Sequence, residues 1–382
     1  MEQFSFSIPQ NIVFGEGSLS KLPSLAKELK KTKAFIISGP HLNKIGMVKQ
    51  CEMALEAEGI DSAAFTETEG NPSTETVEKA TLAFKESGSD FIVAFGGGSP
   101  LDVAKAVAVL AVYGGNITEY EGGGKVPGHV VPMIAIPTTA GTGSEVTAFS
   151  VITDHSRNYK LTVVSNYLLP EYAILDPKLI TTVPEKTAAA CGLDAMIHAL
   201  ESYLSLAASP FSDMFAIKAL ELIGEGIRGY VKDRSNIECA EKMMLGSLFA
   251  GIAFSHARLG NVHAMSHPVS AYFDVPHGVA NAILLPPVVE FNEITDNGKY
   301  YQIYKRIAKL PVQEKAFTSH MLVNELKSLN QELGIPLHLS EVGVKKELFD
   351  EMSADAMQSG NIAVNPRKTT IDDIRELYRT AF

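Results

Sequence analysis

The run Phe91-Ile92-Val93-Ala94-Phe95 is followed without a break by Gly96-Gly97-Gly98-Ser99-Pro100-Leu101-Asp102 and then by Val103-Ala104-Lys105-Ala106-Val107-Ala108. A β-rich apolar stretch gives way to glycines and then to good helix formers, which reads as a buried strand turning directly into a helix. Residues without side chains let backbone N–H groups approach a phosphate, and the positive end of the following helix dipole favours an anion. The loop is neither a GxGxxG fingerprint nor a Walker loop, so taken alone a tight strand-to-helix turn explains it as well as a ligand does. A second segment tips the balance. Pro137-Thr138-Thr139-Ala140-Gly141-Thr142-Gly143-Ser144-Glu145 also follows an apolar strand, Met133-Ile134-Ala135-Ile136, and brings hydroxyls and two more glycines to the same sheet edge. Two such loops at adjacent strand ends point to a dinucleotide rather than a single phosphate.

Outward from these loops the first half of the chain alternates strands and helices. Ala34-Phe35-Ile36-Ile37 and Tyr172-Ala173-Ile174-Leu175 read as further strands, and Lys49 to Glu58 as a helix. This alternation predicts a parallel sheet covered by helices, with binding chemistry at the carboxyl ends of the strands. After Val183-Pro184 the texture changes. Ala, Leu, Met and Glu dominate, and apolar residues recur at helical spacing through Ala188 to Leu206 and Phe215 to Ile227. The expectation is an α/β dinucleotide-binding domain over 1–182 and an all-helical metal-binding catalytic domain over 183–382. A chain of 382 residues is long enough for two such cores.

Composition narrows the function classes. A net charge of -11 with no clustered basic face offers nothing to nucleic acid. Cys51, Cys191 and Cys239 are far apart with no CxxC spacing, against both a disulfide framework and a thiolate zinc site. Met1 to Gln10 lacks a basic segment followed by an apolar run, and no apolar stretch reaches membrane-spanning length, so the expected location is the cytoplasm.

The helical half carries the chemistry. Asp194 and His198 are four residues apart in a strongly helical run and so project from one helix face. His263 and His267 repeat the spacing, and His277 follows in Val275-Pro276-His277-Gly278, just beyond the end of that helix. A lone helical histidine is usually a surface or core residue, but five such groups on two helices and a loop favour a divalent ion. One carboxylate with imidazoles and no sulfur suits Fe²⁺ or Zn²⁺.

These motifs resemble the iron-dependent, group III alcohol dehydrogenases over essentially the whole chain. The matching pieces are GGGSPLDVAKA at 96–106, PTTAGTGSEVT at 137–147, GLDAMIHALESY at 192–203, GNVHAMSHPVSAYFDVPHGVANAILLP at 260–286 and NPR at 365–367. The resemblance implies the family's two-domain fold, shared with dehydroquinate synthase. It implies a catalytic metal, Fe²⁺ or another divalent ion such as Zn²⁺, held by Asp194, His198, His263 and His277. His267 would lie near the substrate, either relaying the hydroxyl proton or orienting a ligand. It further implies NAD(H) or NADP(H) contacts from Gly97, Gly98, Ser99, Thr138, Thr139, Thr142, Thr147, Lys160 and Leu179, and a small pocket lined by Phe149, Phe254 and Asn361 to Val364. The implied reaction moves a hydride between nicotinamide and a small primary alcohol or aldehyde, in a homodimer or higher homo-oligomer, with neither nucleic acid nor membrane as partner.

Two departures from the family pattern bear on specificity. Many NAD-using relatives place an aspartate after the first strand, whereas here Gly39 stands in Ile37-Ser38-Gly39-Pro40 with His41 and Lys44 nearby; this removes repulsion against a 2′-phosphate and keeps NADPH in play. His256 and Arg258 stand where relatives mostly carry asparagine and glycine. A guanidinium near the substrate would favour an anionic aldehyde, sulfonated, phosphonated or carboxylated, while one turned to solvent or another subunit would not. The competing readings are a lyase like dehydroquinate synthase, a zinc enzyme like glycerol dehydrogenase, and a non-catalytic nucleotide sensor. The lyase needs a basic cluster around the histidines, which the sequence lacks. The zinc enzyme loses a ligand position retained here, and the intact ligand set argues against the sensor.

Overall fold

The computed structural model describes residues 4–8 and 10–382; residues 1–3 and 9, on which the reading of Met1 to Gln10 partly falls, lie outside the described residues. Contacts divide the chain into two compact units. One comprises Ile8–Thr139 with Ser144–Ile180, the other Thr181–Phe382 with Ala140–Gly143 and residues 4–7.

The first unit is built on strands β1 (Asn11–Phe14), β2 (Lys33–Ile37), β3 (Asp61–Phe65), β4 (Phe91–Gly96), β5 (Gly122–Gly123), β6 (Met133–Pro137), β7 (Phe149–Asp154), β8 (Tyr159–Val164) and β9 (Tyr172–Leu175). Its helices are α1 (Leu22–Glu28), α2 (Pro40–Lys44), α3 (Met47–Glu56), α4 (Thr74–Ser87) and α5 (Gly98–Tyr113). Six strands form one sheet in the order β1-β9-β6-β4-β2-β3, with every recorded pairing parallel. Side chains alternate between two buried faces. Phe35, Ile37, Ile92 and Ala94 pack with Val77 and Phe84 of α4 and Val107 of α5. Ala34, Ile36, Phe91 and Val93 pack with Leu22 of α1 and Cys51 and Leu55 of α3. A strand buried on both faces reads as a continuous apolar run, which is why β4 and β6 stand out in the sequence and β3, Asp-Ser-Ala-Ala-Phe, does not.

β3 lies on one side of β2 and β4 on the other, so the direction of winding reverses between β2 and β4. In open α/β sheets this switch point opens a crevice at the carboxyl ends of the strands. Here those ends carry Gly39 and the Gly96–Ser99 loop. Beside the main sheet, β7 and β8 form an antiparallel hairpin, with β5 added to β8. This hairpin was not read from the sequence, although the apolar and β-branched residues of Phe149–Asp154 and Tyr159–Val164 and the turn between them signal it.

Thr181–Phe382 contains no strand among the described residues. Its helices are α6 (Glu185–Leu204), α7 (Pro210–Lys232), α8 (Ile237–Ala257), α9 (Asn261–Phe273), α10 (His277–Asn292), α11 (Lys299–Ile307), α12 (Ser319–Glu332), α13 (Phe349–Gln358) and α14 (Ile371–Ala381). Pro184 is the N-cap of α6. No helix of the described residues is long and apolar enough to cross a membrane.

A buried ion network ties the loops of the first unit together. Lys105, on α5, is 1% exposed and its Nζ donates to the carbonyls of Ser144 (2.6 Å), Thr147 (2.9 Å) and Phe149 (2.8 Å). One turn earlier on α5, Asp102 accepts from Ser144 Oγ at 2.7 Å and Val151 N at 3.2 Å. Burial pushes Lys105 down to about 8, against the pull of Asp102 and Glu145. Burial also pushes the Glu145 carboxyl up to about 7. Because its folded value exceeds the unfolded one, folded protein holds this proton more tightly, and the associated stability is lost as pH rises from the ordinary carboxylate range through about 7. Glu145→Gln is therefore expected to unfold at nearly the same denaturant midpoint as the parent at about pH 5 and at a higher one at about pH 7.5. Chemical denaturation at the two pH values measures this.

Candidate active site

Three polar groups converge inside the helical unit. Oδ1 of Asp194 on α6 is 3.6 Å from Nε2 of His263 on α9 and 3.9 Å from Nε2 of His277 at the start of α10. One ligand atom from each lies within 4.8 Å of the others. His198, one turn after Asp194, places Nε2 3.9 Å from the same Oδ1 and stacks its ring on that of His263 at 4.6 Å between centroids. It stands outside that tightest group. His267, one turn beyond His263, is half-buried with its ring 5.3 Å from that of His277.

The local structure explains the convergence. Gly278 follows His277, and a Cβ there would come within 2.2 Å of the Ala190 carbonyl. Only glycine lets the first turn of α10 sit against the backbone of α6 and carry His277 to Asp194. Across the site, Glu201 lies two turns beyond Asp194 on α6 and is 5% exposed. Its Oε1 accepts from the backbone N of Val262 at 2.7 Å, and its Oε2 is 2.6 Å from His263 Nδ1. One carboxylate thus satisfies an N–H at the start of α9 and fixes the His263 ring with Nε2 turned to the centre. Asn365 of the NPR motif completes this helix start by accepting from Asn261 N at 3.2 Å. The sequence reading gave no role to Glu201 or Asn281, yet their spacings, seven residues from Asp194 and four from His277, put them on the ligand faces.

Electrostatics favour a cation here. Burial alone would raise Asp194, but His198, His277 and His263 together hold its carboxyl below the usual range. Burial pushes His198 down to about 4, leaving the neutral imidazole that a metal requires. Burial opposes charge on His263 as well, yet Asp194 and Glu201 hold it above the usual range. Its Nδ1 faces Glu201, and His198 Nδ1 lies 3.3 Å from the Gly141 carbonyl, so both rings direct Nε2 towards Asp194. Nitrogen and oxygen donors 3.6–3.9 Å apart need to contract only a little to meet a common ion at metal–ligand distances of about 2.0–2.2 Å. The residues fit a divalent metal.

The first glycine-rich loop and both ends of the second lie in the other unit, while Ala140–Gly143 fall with the helical unit. Gly97 caps α5 and Gly98 begins it. Gly96 has φ +155°, and a Cβ there would lie 2.6 Å from Pro100 Cγ, so this glycine makes the turn possible. Thr138 N donates to Gly96 O at 2.9 Å, and a Cβ on Gly97 would lie 3.2 Å from Thr139 Oγ1, so the two loops are neighbours at adjacent strand ends. Ser99 donates to Gly70 O at 2.7 Å, and Gly39 caps α2 close to the Thr68 carbonyl. Thr147 is buried against Lys105. Lys160 is on β8 and donates to Asn71 Oδ1 at 2.9 Å. Leu179 is 5% exposed within the core behind the sheet. Thr142 falls with the helical unit.

The proposed pocket residues divide. Phe254 stacks on His198 at 4.5 Å, whereas Phe149 belongs to the β7 strand of the other unit. His256 faces the N-terminal segment, with Nε2 3.1 Å from Ser7 O and its ring 4.2 Å from that of Phe6. Arg258, at the end of α8, adopts φ 62°, ψ -172° with an exposed side chain. Its guanidinium fills the space a Cβ on Gly360 would need, beside the segment Asn361 to Val364. Glu201→Gln should weaken divalent-ion binding about 10–100-fold while leaving the helical content intact, because His263 loses its anchor. Chelator competition alongside circular dichroism reads both.

Comparison with known proteins supplies the family. Residues 9–177 match the iron-containing alcohol dehydrogenase family and residues 188–382 its C-terminal domain. Lactaldehyde reductase of Escherichia coli strain K12 is 36% identical over 373 residues, covering 97% of each chain. A crystal structure of 1,3-propanediol oxidoreductase superposes with a TM-score of 0.95 at 35% identity over the whole of both chains. Sulfoacetaldehyde reductase from Bifidobacterium kashiwanohense, in complex with NAD⁺, gives 0.90 at 28% identity over 100% of this chain and 99% of that one. An α/β unit with a parallel sheet, a helical unit with convergent carboxylate and imidazoles, and these full-length matches together make the chain an oxidoreductase of the iron-containing alcohol dehydrogenase family.

Proposed function

We propose that the protein transfers a hydride between NAD(H) or NADP(H) and a small primary alcohol or aldehyde at a divalent metal centre held by Asp194, His198, His263 and His277. The convergence of Asp194, His263 and His277 inside the helical unit carries this reading. Asp194, His198, His263 and His277 would hold a divalent ion, which when bound would supply Lewis acidity towards an alcohol or aldehyde oxygen. Asp194 contributes the fixed negative charge and the histidines the neutral donors. Phe254, stacked on His198, keeps water from that side. His267, half-buried with its ring 5.3 Å from that of His277, would either exchange the hydroxyl proton with solvent or orient a ligand in this reading. Gly97, Gly98, Ser99, Thr138, Thr139, Thr142, Thr147, Lys160 and Leu179 form the cofactor set in this reading, with the pyrophosphate at the start of α5. Iron is the ion of choice by family. The cytoplasm and a homo-oligomeric state complete the proposal, on the acidic, cysteine-poor sequence and the family resemblance.

Two positions refine the specificity. At Gly39 no carboxylate stands to repel a 2′-phosphate, and this supports NADP(H) beside NAD(H). Arg258, exposed beside Gly360, is the position on which an anionic aldehyde, sulfonated or phosphonated, depends in this reading. Its φ and ψ fall in a region essentially reserved for glycine, at a cost of about 1–3 kcal/mol. No hydrogen bond or ion pair of its guanidinium among the described residues offsets that strain, which leaves the side chain free to serve a ligand. The sulfonated substrate named for the Bifidobacterium relative runs in the same direction.

Metal stripped by a chelator should abolish NADH- and NADPH-linked aldehyde reduction, and Fe²⁺ or Zn²⁺ added back without oxygen should restore it. No restoration with either cofactor, despite metal binding, would point to the lyase or sensor instead. Arg258→Gly should raise the unfolding temperature by relieving the strained backbone. The same variant should lower kcat/KM for anionic aldehydes about 10–100-fold, with little change for neutral ones. Equal change for both classes would remove the anionic reading and leave the reaction class standing.

A further inference from the structure

Asn281 touches three of the convergent groups at once. It lies on α10 one turn after His277 and is fully buried. Its Nδ2 is 2.7 Å from Asp194 Oδ1, 3.0 Å from His263 Nε2 and 3.1 Å from His277 Nε2. The amide NH₂ brings two protons to three polar atoms, while its own Oδ1 is buried without a hydrogen-bond partner. An orphaned buried carbonyl carries a desolvation cost of about 1–3 kcal/mol, so the side chain has a reason to turn.

Geometry says where it would turn. An atom within about 3 Å of three convergent donors stands over their common centre. A cation drawn into that centre, at about 2.0–2.2 Å from each donor, would lie against the same atom. Amide protons cannot face a dication, but the amide oxygen can. Rotation about the Cβ–Cγ bond, the broad and roughly two-fold terminal torsion of asparagine, exchanges oxygen and nitrogen at almost the same positions.

We propose that Asn281 is a further residue of the metal centre, with its Oδ1 serving as an oxygen ligand to the ion. Without the ion its NH₂ bridges Asp194, His263 and His277 and keeps them converged; with the ion the amide turns its oxygen inward. The proposal rests on the metal-dependent reading above. An added neutral oxygen moves the site away from the four-coordinate tetrahedral arrangement that zinc prefers and towards ions that accept more ligands, such as Fe²⁺, Mn²⁺ and Co²⁺.

Co²⁺ reports coordination directly through its visible absorption, which is strong for four-coordinate sites and weaker for higher numbers. The full-length protein, Asn281→Leu and Asn281→Asp would each be stripped, checked for folding by circular dichroism and titrated with Co²⁺ against a chelator. In Asn281→Leu, affinity should fall about tenfold or more and the absorption should intensify. In Asn281→Asp, an anionic oxygen at the same position should bind at least as tightly as the parent and keep the weaker spectrum. Unchanged affinity and spectrum in the leucine variant would overturn the proposal, as would looser binding by the aspartate variant, which also decides the matter if the leucine variant fails to fold. Parent protein that binds no Co²⁺ sinks the metal-dependent reading and this inference together. Parent protein that binds it, with variants that do not differ, sinks the inference alone.

Discussion

Asp194 is an anion removed from water, and the helical unit is arranged around the need to balance it. Its residue is 3% exposed, and a carboxylate in that position is tolerated only with charge or hydrogen-bond donors close by. Those neighbours arrive from three helices, and each arrives through its own local device. α6 supplies His198 by the four-residue repeat. α9 supplies His263, held at the right angle because Glu201 binds both the helix start and the ring. α10 supplies His277 and Asn281, admitted by the missing side chain at Gly278. Removing one partner would leave the others as unpaired buried groups. Each member of such a network is therefore held by the others.

The α/β unit follows a different constraint. Its central strands are buried on both faces, so every backbone polar group must be met by the ladder or by a loop. At the carboxyl edge that need is met partly by ions. Lys105 gathers three carbonyls of the segment after β6, and Asp102 holds the hydroxyl of Ser144 and the N–H of Val151. The conspicuous glycines of GGGSPLDVAKA shape the turn, while the aspartate and lysine of the same motif fix the partner loop. A motif whose glycines suggest a phosphate loop is therefore at least half scaffolding for its neighbour.

How much of this the sequence discloses depends on the range of the interaction. Apolar strands β2, β4, β6 and β9 and the long helices were legible because their patterns are local. The spacing of Asp194 and His198, and of His263 and His267, was legible because a helix converts sequence distance into a shared face. β1 and β3 were missed: both are sheet-edge strands, and β3 carries two alanines and a serine where the central strands carry Ile, Val and Phe. Glu201 and Asn281 were invisible as partners because their contacts span 62 and 18 residues to His263, and nothing in a helical pattern says which distant helix a face will meet. The Arg258 backbone was equally hidden, since its strain depends on φ and ψ and not on composition.

That strain also separates what the chain shares with its family from what is its own. Around Asp194 local preference and packing agree, and each helix brings its polar group to the carboxylate by an ordinary helical spacing. A position at which a residue contradicts its own backbone needs another cause, and sites of function are where such contradictions persist. Glycine at 258 would satisfy the backbone at no steric cost. Arginine there, with Gly360 leaving room for its guanidinium, gains nothing evident for folding. Strain of this kind, at a residue exposed to solvent at the end of the helix that carries Phe254, belongs to the backbone of Arg258 and not to the core around Asp194.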